Sequence, residues 1–100
     1  MSDHRVVHSP DRKMFTLETH GHDPAFLEYE RDPDTGTLDM FETFVPPSLR
    51  GRGVAKLLAD AAFNWAVSKN VKVRLSCWYL EGYLERHPRD DVKCLVNLES

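Results

Sequence analysis

Val45-Pro46-Pro47-Ser48-Leu49-Arg50-Gly51-Arg52-Gly53-Val54-Ala55 reads as a strand end that passes through a glycine-rich turn into an amphipathic helix. The two prolines stop the strand, since neither carries an N–H for a ladder. Gly51 and Gly53 let the backbone approach a ligand closely. The helix that follows leaves its first amides without intrahelical partners and at positive potential. A diphosphate placed there gains hydrogen bonds and a favourable field together. Arg50 and Arg52 add charge, and a guanidinium grips phosphate oxygens with paired hydrogen bonds.

Spacing separates the phosphate loops that fit such a segment. A Walker loop needs Gly-Lys-Ser/Thr, so that lysine and hydroxyl reach the terminal phosphates and magnesium, whereas this chain continues Gly53-Val54-Ala55. A dinucleotide fingerprint needs a third glycine or alanine where Lys56 stands, and it opens a βαβ unit. Both readings fail.

After the turn, Val54, Leu57, Leu58, Ala61, Ala62 and Trp65 recur at i, i+3, i+4 spacing, with Lys56, Asp60, Asn64 and Ser68 opposite them. This predicts a helix of about four turns. Val71 to Cys77 alternates as a strand, and a strand, crossover helix, strand unit makes its two strands parallel neighbours. A short helix is predicted from Trp78 or Tyr79 to Arg86, stopped at His87-Pro88, and a last strand over 92–96. Before the turn, residues 13–20, 25–30 and 37–45 alternate, with a short strand at Val6-Val7. The turn chemistry of Gly21-His22-Asp23-Pro24 and Asp32-Pro33-Asp34-Thr35-Gly36 makes these strands an antiparallel meander. The expected fold class is α/β: a mixed sheet of about five or six strands, antiparallel first and then a helix-crossover parallel pair.

One hundred residues with 41% hydrophobic and 29% charged content suit a single domain over residues 1–100. A net charge of -3 disfavours a general nucleic-acid binder, despite the basic patch at 50–56. Cys77 and Cys94 form neither a CxxC pair nor a disulfide framework, and the chain shows no signal-type or membrane-spanning apolar run. These observations point to a cytoplasmic or nuclear protein, a monomer with no membrane partner. His20 and His22 have a spacing that suits a metal clip, but they lie in a hairpin turn without a cysteine partner, and no metal is expected.

The pattern Arg-x-x-Gly-x-Ala, met by Arg50, Gly53 and Ala55 directly after a strand, resembles the acyl-coenzyme-A pyrophosphate loop of the GCN5-related N-acetyltransferases. Thr43 to Gly53, Ser76-Cys77-Trp78-Tyr79 and Tyr83 to Pro88 resemble the small single-domain branch of that family, the YjdJ-type and N-acetyltransferase domain-containing protein 1-like proteins. The resemblance implies a minimal version of that family's mixed sheet and transfer of an acetyl group from acetyl-coenzyme A to an amine. It also implies that pantetheine pairs with backbone at Phe44 and Val45, and that pyrophosphate lies on the amides of Arg50, Gly51, Arg52, Gly53, Val54 and Ala55. Four or five charge-assisted hydrogen bonds at about 1.5–3 kcal/mol each support micromolar binding, near −8 kcal/mol, once association costs are subtracted. Lys56 reaches either a 3′-phosphate or water.

Acetyl transfer needs a neutral amine, a stabilised oxyanion and a proton for the departing thiolate. Cys77 precedes a helix start whose field favours a thiolate, and the small branch carries a cysteine here, which implies an acyl relay or a role beside the thioester. The bland reading is a small buried hydrophobe. Alternation places Glu42 with Leu38, Met40 and Phe44, an apolar setting that would raise its pKa toward that of a base, or else it is a strand-edge glutamate in water. Members of the branch often carry histidine where this chain has Glu42. Tyr79 and Tyr83 stand one turn apart, and the wider family protonates the thiolate from a tyrosine on this helix. Packing on the sheet is the plainer role for both. Trp65 and Trp78 are core or rim.

Larger members of the family grip the acceptor with additional N-terminal helices, whereas this chain runs from a short strand straight into the meander. The open cleft suits a small amine, a peptide tail or a lysine side chain. Two other readings remain: a coenzyme-A-binding module without chemistry, and an RNA-binding domain, which net charge disfavours.

Overall fold

The computed structural model describes residues 5–18 and 23–96, so the histidine pair and most of its turn lie outside the described residues. The strands are β1 (Val6–Ser9), β2 (Met14–Leu17), β3 (Ala25–Arg31), β4 (Leu38–Phe44) and β5 (Val73–Leu75). They form one sheet in chain order, antiparallel from β1 to β4 and parallel between β4 and β5. The helices are α1 (Val54–Lys69), α2 (Trp78–Arg86) and α3 (Asp90–Lys93), with one 3-10 turn at Pro47–Leu49. The α/β expectation and its parallel crossover pair hold.

Alternation builds the core. Phe15 and Leu17 of β2, Ala25, Leu27 and Tyr29 of β3, and Leu38 and Met40 of β4 are buried against Leu58, Ala59, Ala62, Phe63 and Ala66 of α1. This stripe lies slightly further round α1 than the spacing predicted, so that Leu57, Ala61 and Trp65 pack at its margin. Left-handed Gly53 opens α1 and left-handed Asn70 closes it, the Asn70 N–H reaching the carbonyls of Ala66 and Val67. Tyr83 of α2 stacks on Phe63 of α1 at 6.4 Å, which puts both helices on one side of the sheet.

The last strand is a correction. Asp90 and Asp91 open α3 and Lys93 closes it, charges that suit the helix dipole at each end. Val92 and Leu95 are buried while Cys94 is exposed, a three-residue spacing that a strand cannot provide. Among the described residues of this segment, Val96 bridges Val73 in parallel and the Leu95 carbonyl accepts from the Val73 N–H at 2.9 Å.

A bulge in β4 shapes the site. Glu28 faces Glu42 and Tyr29 faces Met40, so Phe41 is an extra residue on β4 and the alternation slips by one. Before the bulge, Leu38 and Met40 point to the helices; after it, Thr43 shares the inner face with Leu27, and Glu42 and Phe44 turn outward with Glu28 and Phe26. β5 pairs with β4 only as far as Met40, whose carbonyl accepts from the N–H groups of both Ser76 and Cys77. The second half of β4 therefore has no strand on its β5 side, and a cleft opens there.

Candidate active site

Beyond the free end of β4, Leu49 N–H bonds to Pro46 and Arg50 N–H to Pro47, a turn that delivers the chain to Gly51. Gly51 and Gly53 have φ of +81° and +75°, conformations that favour glycine, and the space beside each is open. No side chain caps the first turn of α1. The amides that such a turn leaves over border a hollow of about 230 Å³ lined by Val45, Leu49, Arg50, Gly51, Gly53, Val54, Ala55, Lys56 and Tyr79. Of the expected cradle residues, Val45, Arg50, Gly51, Gly53, Val54 and Ala55 meet around one space, joined there by Tyr79 of α2; Arg52 is exposed and does not line it, and the Phe44 side chain faces the other side of the sheet. Arg50 donates from Nε to the Val45 carbonyl at 3.0 Å, which ties the turn to the end of β4. A larger hollow of about 570 Å³ lies between β5, α2 and Val96, lined by Arg74, Leu75, Glu81 and Leu84 among others. Arg74 and Lys93 line it together with Glu81 and Glu85, and it holds no helix start and no glycine turn, so the smaller one is the place that matches the expected diphosphate cradle.

Tyr79 and Tyr83 stack with ring centroids 5.9 Å apart. Their hydroxyls differ. Tyr83 donates to Asp60 Oδ1 at 2.9 Å, and Lys56 donates to Asp60 Oδ2 at 3.1 Å. Burial raises the Tyr79 pKa above its usual value, against a smaller pull from Arg86. Burial and the bond to Asp60 raise that of Tyr83. Lys56 is raised as well, first by its hydrogen bond to Asp60. Sequence reading placed Asp60 on the solvent face of the helix; it is half-buried because Tyr83 reaches it from α2. Only the i, i+4 pairing with Lys56 hinted at a partner for it.

Cys77 is 6% exposed and donates from Sγ to Thr43 Oγ1 at 3.5 Å. Thr43 was not foreseen, since an unbroken strand would have put it on the far face. The same slip corrects Glu42: it is exposed on the outer face beside Phe44 and away from Leu38 and Met40, so the apolar setting expected for it is gone. Trp65 packs at the core margin, and Trp78 is 82% exposed. Among the described residues no group of histidine, cysteine and carboxylate side chains is arranged to hold a metal, and no helix is long and apolar enough to cross a membrane.

The sequence model of the family described as GCN5-related N-acetyl-transferase matches residues 14–92. The chain is similar to Protein NATD1 of Xenopus tropicalis, 41% identical over 85 residues that cover 84% of this chain and 77% of the relative. It is likewise similar to Protein NATD1 of Homo sapiens at 41% identity, covering 74% of that protein, and of Danio rerio at 39%, covering 76%.

Proposed function

The chain belongs to the family of GCN5-related N-acetyltransferases, and from that premise we propose that it takes acetyl-coenzyme A at the start of α1 and passes the acetyl group to an amine. The observation that carries the reading is the hollow shared by the uncapped first turn of α1 and by Tyr79. The residues present fit the cofactor: Gly51 and Gly53 leave open space beside the backbone, Arg50 and Lys56 line the hollow with positive charge, and Arg52 stands between the two glycines. Bound there, acetyl-coenzyme A supplies a thioester whose carbonyl carbon an amine can attack.

The chain's own residues divide the remaining work. The amides from Arg50 to Ala55 hold the pyrophosphate. Phe44 and Val45 offer backbone to pantetheine; the Val45 carbonyl has a second lone pair beside the one Arg50 uses. Tyr79, with its pKa raised by burial, keeps its proton at neutral pH and is the acid for the departing thiolate. Tyr83 is committed to Asp60 and serves Tyr79 by stacking. Cys77 is a hydrogen-bonded, buried thiol, which favours direct attack by the amine over a relay.

One observation favours a second reading, a coenzyme-A-binding module without transfer: the bulge turns Glu42, the carboxylate expected as base, to the other face. Calorimetry with acetyl-coenzyme A and an acetylation screen over small amines and peptides test both. Replacing Arg50 and Arg52 with alanine weakens cofactor binding about tenfold or more; unchanged affinity overturns the cradle. Transfer to any amine rejects the module, and binding with no transfer to any of them rejects the enzyme.

A further inference from the structure

The sheet face opposite α1 and α2 carries no described element, and its composition is not that of a surface left to water. The registers Val7 to Thr16, Thr16 to Phe26 and Phe26 to Phe44 make one row across four strands. Val7 and Phe44 are 52% and 37% exposed, and the rings of Phe26 and Phe44 meet at 5.5 Å. The next row sets Glu28 directly opposite Glu42. Like charges so placed destabilise a sheet, and among the described residues no lysine or arginine forms an ion pair with either. Glu30 and Asp39 extend the acidic side, with Lys13 on Glu30 at 3.4 Å and Arg74 in register with Asp39.

An apolar row beside two carboxylates without an ion-pair partner complements a side chain with an apolar stem and a cationic head. We propose that this face docks a lysine-bearing polypeptide, the ammonium of one lysine lying between Glu28 and Glu42 and its stem on Phe26 and Phe44. A stem on aromatic rings with its charge kept wet is the usual posture of lysine, and a cation near a ring gains a further attraction. Four strands span about 14 Å, the length of about four extended residues, which suits a polypeptide better than a small amine. Phe44 and Glu42 flank Thr43, the partner of Cys77, so the docked segment lies next to the cleft. Its identity as the acceptor rests on the acetyltransferase reading; the docking does not.

The test is fluorescence anisotropy of a labelled peptide with lysine at alternate positions, beside its glutamate counterpart, with acetyl-coenzyme A binding measured on the same samples. The lysine peptide binds and weakens with salt, and replacing both carboxylates, Glu28→Gln with Glu42→Gln, weakens it about tenfold. That variant relieves a repulsion, so it folds at least as well as the parent, which thermal unfolding verifies. Phe44→Ala weakens it too, and Asp34→Asn, a loop carboxylate away from this face, leaves it unchanged. Equal binding of the glutamate peptide, or no response to the paired glutamine replacement, overturns the proposal, as does a mass showing that a second copy covers the face. An unsubstituted protein that binds the cofactor and not the peptide rejects the docking alone; one that binds the peptide and not the cofactor rejects the transferase reading alone.

Discussion

Asp60 makes two tyrosines on one helix unequal. Its carboxylate takes the Tyr83 hydroxyl and the Lys56 ammonium, while Tyr79 lines the hollow at the start of α1. Tyr79→Phe therefore lowers kcat by about a hundredfold, within the range for a lost general acid, and Tyr83→Phe by less than about tenfold. Because burial raises the Tyr79 pKa, the alkaline limb of the kcat profile falls above the ordinary tyrosine value of about 10. A pH–rate profile of both variants checks the assignment. Cys77→Ala slows turnover only modestly if the thiol packs against Thr43 as its geometry indicates; complete loss of turnover restores the relay. The positions of Cys77 and Tyr79 at the start of α2, and of the glycine turn at the start of α1, were readable because residue type and spacing mark a strand end and a helix start. Thr43, Glu42 and Asp60 were not, since one bulged residue and one contact between helices decide where they point.

The turn into α1 depends on backbone conformation as much as on charge. Gly53 holds φ at +75° with open space beside it, so Gly53→Ala meets no clash and is strained in the backbone alone. It costs about 1–2 kcal/mol, read from the midpoint of urea unfolding. The strands of the meander, α1 and α2 followed from period and turn residues. The segment after Pro88 did not, because a helix with a three-residue repeat and a strand with a two-residue repeat both bury Val92. The bulge in β4 had no signal of its own in the sequence, for Phe41 is an unremarkable strand residue. Yet it is what frees the end of β4 from β5 and opens the cleft.

Across the molecule the sheet divides two kinds of surface, helices and anion cradle on one side, apolar row and carboxylates on the other. At the β1 end, His8 stacks on Phe15 at 4.1 Å, meets Trp65 at 4.6 Å and places Nε2 2.7 Å from the Tyr29 hydroxyl. Burial lowers the His8 pKa, so the unfolded chain takes up a proton before the folded one does. Stability from this source is whole above about pH 6.5 and declines as pH falls through that value toward the folded pKa. Urea midpoints at about pH 7.5 and about pH 5.5 reveal the decline, and His8→Phe flattens it. The claim that the start of α1 cradles acetyl-coenzyme A is tested most directly by native mass spectrometry of the protein mixed with that cofactor. A retained mass of one cofactor, lost when Arg50 and Arg52 are alanine, is the predicted result. A spectrum of protein alone, at cofactor concentrations well above micromolar, contradicts it.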